Sequence, residues 1–299
     1  DLDLEFSEPI IENREISWDD LNRFETNISK EKFIEIVEKA KFYVKEGDIF
    51  QVNLSQRFGA EIGKDESIEL YRILRAINPS PFASLVHLND FKLISQSPER
   101  LVRLKDGIAD TRPIAGTRRL VKGNEVKNEE LAMELKNDPK ECAEHVMLVD
   151  LERNDIGKIA EFGTVEVDEF MVIERYSHVM HLVSNVKGKL RKDLDAFDLL
   201  KAMFPGGTIT GAPKIRSMEI IEELEPTRRG FYTGSLGFVG YNGDMDFNII
   251  IRSFIEKNNK VYFQVGAGIV YDSIPEREYK ETINKARAMV LAYENLKSN

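Results

Sequence analysis

The stretch Phe204–Leu224, FPGGTITGAPKIRSMEIIEEL, joins a loop carrying three glycines and two threonines to the start of a helix. Pro213 suits the first helical turn, where its missing N–H would be unpaired in any case. Ile215, Met218, Ile221 and Leu224 then recur at helical spacing, and Pro226 closes the segment. Free N–H groups at a helix start, approached through small residues, make an anion site, so a substrate with carboxylates or phosphates is expected. Gly206 and Gly211 have the Walker spacing, but Ala212 and Pro213 replace the Lys and Ser/Thr that a nucleotide loop requires. The later Gly266-Ala267-Gly268 run has Tyr271 where a dinucleotide fold needs its third glycine. Composition alone leaves open a tight strand-to-helix connection whose glycines serve only geometry.

With 299 residues, 42% hydrophobic and 31% charged, the chain has the composition of a soluble globular protein of one large or two ordinary domains. Its 42 Lys+Arg against 52 Asp+Glu leave a net charge of -10, which disfavours nonspecific binding to nucleic acid or anionic membrane. An anionic substrate would therefore need local cations. The single cysteine, Cys142, excludes an internal disulfide framework and reads as a packed thiol rather than a nucleophile. With no run of 18 apolar residues and no signal peptide, a cytoplasmic location is expected. Because the chain starts on Asp1 and not Met, a preceding segment is expected as well.

Residues 1–28 are acidic, hold the only Trp, Trp18, and lack a sustained period, so they read as a linker or the remnant of an N-terminal domain. Residues 29–299 read as the catalytic domain. Ser29 is a candidate N-cap for a helix whose apolar face is Phe33, Ile36, Val37, Ala40 and Val44, ended by Gly47. In IFQVNLSQ, Phe50, Val52 and Leu54 alternate with Gln51, Asn53 and Ser55, as in a strand with one buried face. A short helix is expected over 67–77. Turns at Asn89-Asp90 and Asp106-Gly107 then indicate an antiparallel meander. Asp138 and Pro139 open a helix running to about Arg153, stopped by Asn154-Asp155-Ile156-Gly157.

On that helix Glu141 and Glu144 share a face, which suits either solvent or a cation that offsets their repulsion. His178 and His181 lie on one strand at a spacing that places them on opposite faces, so only one can face a pocket. Strands are expected over 232–239, 247–255 and 261–270, with turns at Asn242-Gly243 and Asn258-Asn259. Pro275 opens a last helix with Ile283, Ala286, Val290 and Tyr293 buried, and Glu281 and Lys285 form an i,i+4 pair worth only about 0.3 to 0.5 kcal/mol on a solvent face.

Taken together, PIAGT, AEHVMLVDLERND, SHVMHLVSNV, FPGGTITGAPK, GFYTGSLGF, IIIRS, VGAGIVYDS and EYKETINKA resemble the chorismate-utilising enzymes. They follow the family's order from Ser29 to Leu296. The chain is most similar to the ammonia-using subunits, component I of aminodeoxychorismate synthase or of anthranilate synthase. The resemblance implies an α+β fold of antiparallel sheets packed face to face with helices outside, and a Mg2+ ion in a cleft. Matched residue by residue, Glu144 and Glu281 would be the Mg2+ ligands, with Glu141 a third through water, a hard oxygen set suited to that ion. Tyr232, Arg252 and Lys285, with backbone N–H groups at Gly266 and Gly268, would bind the pyruvyl side of chorismate. Thr208 and His181 would lie near the ring carbons where substitution occurs.

Two positions bear on the reaction. Relatives that add water carry a lysine resembling a general base where this chain has Gln51; an amide takes no proton, so ammonia is the implied nucleophile. Many aminodeoxychorismate members carry a nucleophilic Lys in the PIxGT motif, where this chain has Ala115. That departure favours the anthranilate branch or direct amination, whereas FPGGTITGAPKIRSMEIIEELEP, PSPFASLV and FYTGSLGF look closer to the aminodeoxychorismate subunits. The implied reaction is amination of chorismate to 4-amino-4-deoxychorismate, with ammonia from a separate glutamine amidotransferase subunit. Anthranilate formation is the alternative, and a noncatalytic anion-binding module built on the glycine loop is the rival of a different class.

Overall fold

The alternating run after Phe50 becomes the strand Gln51–Glu61, and everything near it is arranged by its pairing with the strand Lys260–Ile269. The computed structural model describes residues 9, 11, 12, 14, 18–176 and 179–298. Within them the chain forms two units, switching between them at Pro98/Glu99, Thr208/Ile209, Gly234/Ser235 and Ile249/Ile250. Each unit is built on one seven-stranded sheet. All strand pairs are antiparallel, which with the helices gives the expected α+β class. No helix among the described residues is long and apolar enough to cross a membrane.

In the first unit the strand order is Glu25–Thr26, Gln51–Glu61, Lys260–Ile269, Ser253–Lys257, Phe91–Ser97 and Phe82–Leu88, with Gly211–Ala212 also on Gln51–Glu61. Alternation sends Val52, Leu54, Phe58 and Ala60, with Val261, Phe263, Val265, Ala267 and Ile269, to one face. Helices Lys30–Lys45 and Lys214–Leu224 bury one end of that face and Ser67–Ile77 and Pro275–Ser298 the other. Ser29 caps the first helix, its hydroxyl accepting from Lys32 N–H, and Ile283, Ala286, Val290 and Tyr293 are buried as their spacing predicts. Phe50, however, lies outside the strand and is exposed. The opposite face, Gln51, Asn53 and Ser55, is buried as well, so it is not the wetted side of a half-buried strand.

The second unit orders its strands Gly237–Val239, Met245–Asn248, Arg100–Lys105, Ile108–Thr111, Val179–Lys189 and Ile114–Arg119, with Glu166–Arg175 also on Val179–Lys189. Helices Glu125–Asn137, Pro139–Gly157 and Ala196–Met203 accompany it, and Ala132 and Leu135 pack on Met180 and Leu182.

Several expectations are corrected. The anticipated meander is two hairpins in two different sheets, because the chain changes unit after Pro98. The expected strand over 247–255 breaks at Ile249–Arg252 for the same reason: Asn248 ends one sheet and Ser253 enters the other, with Arg252 at φ 53 between them. Only Gly237–Val239 of the 232–239 run is a strand, and Tyr232 sits in the turn before it. The helix from Pro139 runs through the expected stop to Gly157, since burial of Asp155 and Ile156 outweighs the local turn signal.

The helix of the glycine-rich stretch buries Ser217, Ile220, Ile221 and Leu224, leaving Ile215 and Met218 exposed. Five apolar side chains spread around its surface made both faces plausible, and the bond from Ser217 Oγ to Gln51 O fixes the one chosen. Pro213 is the residue before the helix rather than in its first turn. The loop's glycines have geometric reasons. A Cβ on Gly207 would lie 2.2 Å from Leu151 Cδ2, and one on Gly211, at φ 136, 2.2 Å from Gln51 O.

The boundary expected after residue 28 does not coincide with the onset of packing. Glu25–Thr26 pairs with Gln51–Glu61, and Phe24 is buried among Phe58, Phe263 and Tyr293 with ring centroids 4.9 to 6.5 Å away. Deleting that ring should therefore act as a core truncation. Phe24→Ala is expected to cost roughly 3 to 5 kcal/mol in urea unfolding, whereas a loss below about 1 kcal/mol would make the segment a linker after all.

Candidate active site

In the first unit the buried polar face collects most of the candidate residues. Gly268 stands opposite Asn53 and Gly266 opposite Ser55. Asn53 sends its own N–H to Thr210 O, and Ser55 sends its N–H to Glu225 Oε1, both away from the partner strand. The two glycines thus occupy non-hydrogen-bonded positions and turn their own N–H and C=O groups to the far edge of their strand. Along that edge the neighbouring strand Ser253–Lys257 pairs only as far as Phe263. The missing side chains matter equally. A Cβ on Gly268 would lie 2.5 Å from Gln51 Nε2, and one on Gly266 2.7 Å from both Asn53 Nδ2 and the Tyr232 hydroxyl.

Gln51 is 8% exposed, and its Oε1 is buried with no hydrogen-bond partner among the described residues, a costly arrangement for a purely structural amide. Tyr232 is equally buried; loss of hydration raises its phenol pKa, and the nearby Arg229 opposes that rise. Lys285 donates to Gly266 O at 3.0 Å and lies 3.5 Å from Glu281 Oε1. Burial lowers its pKa, Glu281 opposes, and Arg252 adds to the lowering. Arg252 donates to Lys285 O at 3.2 Å from a left-handed backbone position that is strained for a non-glycine residue. Gln51, Tyr232, Gly266, Gly268, Lys285, Arg252 and Glu281 therefore form one connected set. Asn53 and Arg229 belong to it and were not singled out. Asn53 shared Gln51's alternation, whereas no local pattern marked Arg229.

The second unit gathers Ala115, Glu141 and His181 around a bulge. Ala115 lies opposite Leu182 and Thr117 opposite His181, with Gly116 at φ 57 between them. Its carbonyl is 3.0 Å from His181 Nδ1, and Thr117 Oγ1 is 3.1 Å from the same nitrogen. A carbonyl only accepts, so in the neutral imidazole Nδ1 carries the proton. Tyr176 packs edge-on against the imidazole at 5.6 Å. His178 lies outside the described residues.

Asp138 caps the following helix, accepting from Lys140 and Glu141 N–H. Glu141 packs over Gly116, where a Cβ would lie 2.9 Å from its Oε2, and its Oε1 pairs with Arg118 at 3.3 Å. Glu144, one turn on, is 3.8 Å from Lys140. On the inner side of that helix His145 is wholly buried against Ser184, and burial pushes its pKa down to about 4, so it is neutral. Thr208 donates to Glu99 at 2.7 Å, and this bond does not join it to the His181 cluster. Cys142 packs beside the Leu135 cluster with its Sγ 3.2 Å from Lys136 O.

The side chains of Glu144 and Glu281 are 32% and 49% exposed, the first lying 3.8 Å from Lys140 and the second 3.5 Å from Lys285. Each, taken singly, is a hard oxygen ligand of the kind Mg2+ accepts while keeping several waters. Glu141 fits less well, being committed to Arg118. Among the described residues no group of three or more His, Cys, Asp or Glu gathers as a metal cluster.

Comparison with known proteins places residues 9–291 in a family described as chorismate binding enzyme. Aminodeoxychorismate synthase component 1 of Bacillus subtilis is 52% identical over 96% of this chain and 60% of its own length. Anthranilate synthase component 1 of Aquifex aeolicus is 51% identical over 92% of the chain and 55% of its own length. The crystal structure of anthranilate synthase component I from Streptococcus pneumoniae superposes with TM-score 0.83 at 48% identity, covering 89% of this chain and 59% of that one. The chain thus spans less than two thirds of the length of these relatives.

The bulge makes a prediction independent of turnover. In 15N NMR above the imidazole pKa, neutral His181 is expected as the Nδ1–H tautomer, and the Nε2–H form would contradict the bond to Gly116 O.

Proposed function

The chain belongs to the chorismate binding enzymes, and from that premise we propose that it exchanges the C4 hydroxyl of chorismate for ammonia, releasing water and giving 4-amino-4-deoxychorismate. The observation that carries the reading is Gln51, buried at the polar face with its carbonyl oxygen unpaired. An amide does not remove a proton from water at neutral pH, whereas ammonia attacks without a base.

The remaining roles follow from the donors. Arg252 offers a planar fork and Lys285 a point charge to the carboxylate of the pyruvyl side, joined by the Tyr232 hydroxyl and the N–H groups of Gly266 and Gly268. Protonated His181 would deliver its Nε2 proton to the departing hydroxyl and relax to the tautomer that Gly116 already favours; Thr208 would assist. The carboxylates of Glu144 and Glu281 would hold Mg2+, and Glu141, paired with Arg118, would act at most through water. When bound, Mg2+ offsets negative charge on the substrate.

We assign the ammonia to a separate glutamine amidotransferase subunit. The relatives' names designate one component of a larger enzyme, and the only cysteine here is packed beside an apolar cluster. We assign the reaction to the cytoplasm; no helix among the described residues is long and apolar enough to cross a membrane. Anthranilate synthesis, amination at C2 with loss of pyruvate, is the second reading, favoured by Ala115 and by relatives of that name.

Incubation with chorismate, Mg2+ and an ammonium salt should yield 4-amino-4-deoxychorismate; fluorescent anthranilate formed without an added lyase would replace the first reading with the second. Glu144→Gln and Glu281→Gln are each expected to lower turnover by at least about 100-fold and to raise the Mg2+ needed. Unchanged chorismate and Mg2+ affinity in both variants, with no turnover in the parent, would leave an anion-binding module.

A further inference from the structure

Arg229 has no part in the reading above, yet its guanidinium is tightly engaged at the first unit's polar face. Its side chain is 13% exposed and that of its partner Glu225 is 3% exposed. The guanidinium grips Glu225 with both edges of its fork, Nη2 to Oε1 at 2.7 Å and Nε to Oε2 at 3.1 Å. Nη1 donates to Ile209 O at 2.8 Å, and Nη2 also reaches Asn53 O. Glu225 Oε1 in turn accepts from Ser55 N–H at 2.8 Å and Ser55 Oγ at 2.7 Å. One ion pair thus ties the glycine-rich loop, the strand Gln51–Glu61 and the end of the helix Lys214–Leu224.

Tension with stability alone is clear. A buried ion pair recovers little beyond its own desolvation cost, and an apolar pair of equal volume would hold the same segments together as well. What an apolar pair would not supply is the charge placed 5.5 Å from the centre of the Tyr232 ring. That ring carries its hydroxyl to the space left by the absent Gly266 side chain, beside Asn53 Nδ2. A cation on the ring face fixes the ring's tilt and favours donation of the phenol O–H to an anion.

We propose that Arg229, oriented by Glu225, is a positioning residue for substrate recognition: it holds the Tyr232 ring and aims its hydroxyl at a carboxylate of chorismate. The proposal rests on the reading of Tyr232 as a substrate ligand. Lysine at position 229 keeps the charge but loses the fork and the flat face that lies over the ring.

A double-substitution cycle in chorismate affinity, measured by calorimetry with Mg2+ present, tests it without depending on turnover. Tyr232→Phe should weaken binding about tenfold, Arg229→Lys by a similar factor, and the double variant no more than about twofold beyond Tyr232→Phe. Losses that multiply to about 100-fold would show that Arg229 acts independently of Tyr232 and overturn the proposal. A lowered melting temperature with parental affinity in Arg229→Lys would overturn it in favour of a structural role. Parental affinity in Tyr232→Phe would instead remove Tyr232 from the substrate site and take the proposal with it. Should Arg229→Lys fail to fold, Glu225→Gln, which keeps an acceptor for Ser55, is expected to show the same coupling to Tyr232→Phe, and additivity there would overturn the proposal equally.

Discussion

The first unit depends on the register between Gln51–Glu61 and Lys260–Ile269. Ten residue pairs, from Lys260 opposite Glu61 to Ile269 opposite Val52, are fixed by that ladder. A shift by one residue would send Val52, Leu54, Phe58 and Ala60 to the polar face and Gln51 and Asn53 into the helices. The apolar side therefore locks the polar side. Because Gly266 and Gly268 fall opposite Ser55 and Asn53, the same register that fills the core leaves space above Gln51 and beneath the Tyr232 hydroxyl. Core packing and the proposed recognition of a carboxylate are two consequences of one pairing.

A comparable economy holds in the second unit. The bulge at Gly116 interrupts the ladder between Ala115 and Thr117 and turns a carbonyl toward His181. Gly116 is held from the other side by Leu135 and Glu141, each close enough that a side chain at this position would collide. The helix carrying Glu141 and Glu144 thus supports the carbonyl that decides which His181 nitrogen bears the proton. Arg118 anchors this arrangement through Glu134, Asp138 and Glu141. Substitution at Glu141 would then reach His181 through backbone geometry rather than through a metal ion.

The sequence was most legible where a short-range pattern carried the outcome. Ser29 as a cap, Phe33 to Ala40 as a buried helical face, Ser67–Ile77 and the final helix all follow from periodicity and capping chemistry alone. It was least legible where one apolar run serves two sheets. The segment from Phe247 to Ile255 is rich in β-forming Ile and Phe, and nothing local marks that Asn248 and Ser253 belong to different ladders. Periodicity likewise could not choose between two apolar faces on Lys214–Leu224, because the deciding contact, Ser217 to the Gln51 carbonyl, is tertiary. The residues around Gln51 were named through the resemblance rather than through any local pattern. Asn53 and Arg229 were not legible because the groups they meet, Gly266 for Asn53 and the Ile209 and Asn53 carbonyls for Arg229, come together only in the fold.

Ala115 is the position at which chemistry and scaffold diverge. It occupies an ordinary ladder position opposite Leu182, adjoining the bulge that holds His181, so nothing in the backbone there forbids a longer side chain. A methyl group cannot attack the ring, and an amination that begins with a covalent adduct has no nucleophile at this point. In the proposed reaction the bond to nitrogen forms directly, and the demands on the protein reduce to holding the dicarboxylate and managing the proton of the departing hydroxyl. Arg252, Lys285 and Tyr232 suit the first demand, and an imidazole whose Nδ1 is tied to a carbonyl suits the second. Both belong to features that would be the same whether the nitrogen enters at C2 or at C4. Under the proposed reading the choice of carbon would then rest on how the ring is oriented once its carboxylates are held, and a ring held like that of Tyr232, with a cation 5.5 Å from its centre, is suited to setting that orientation.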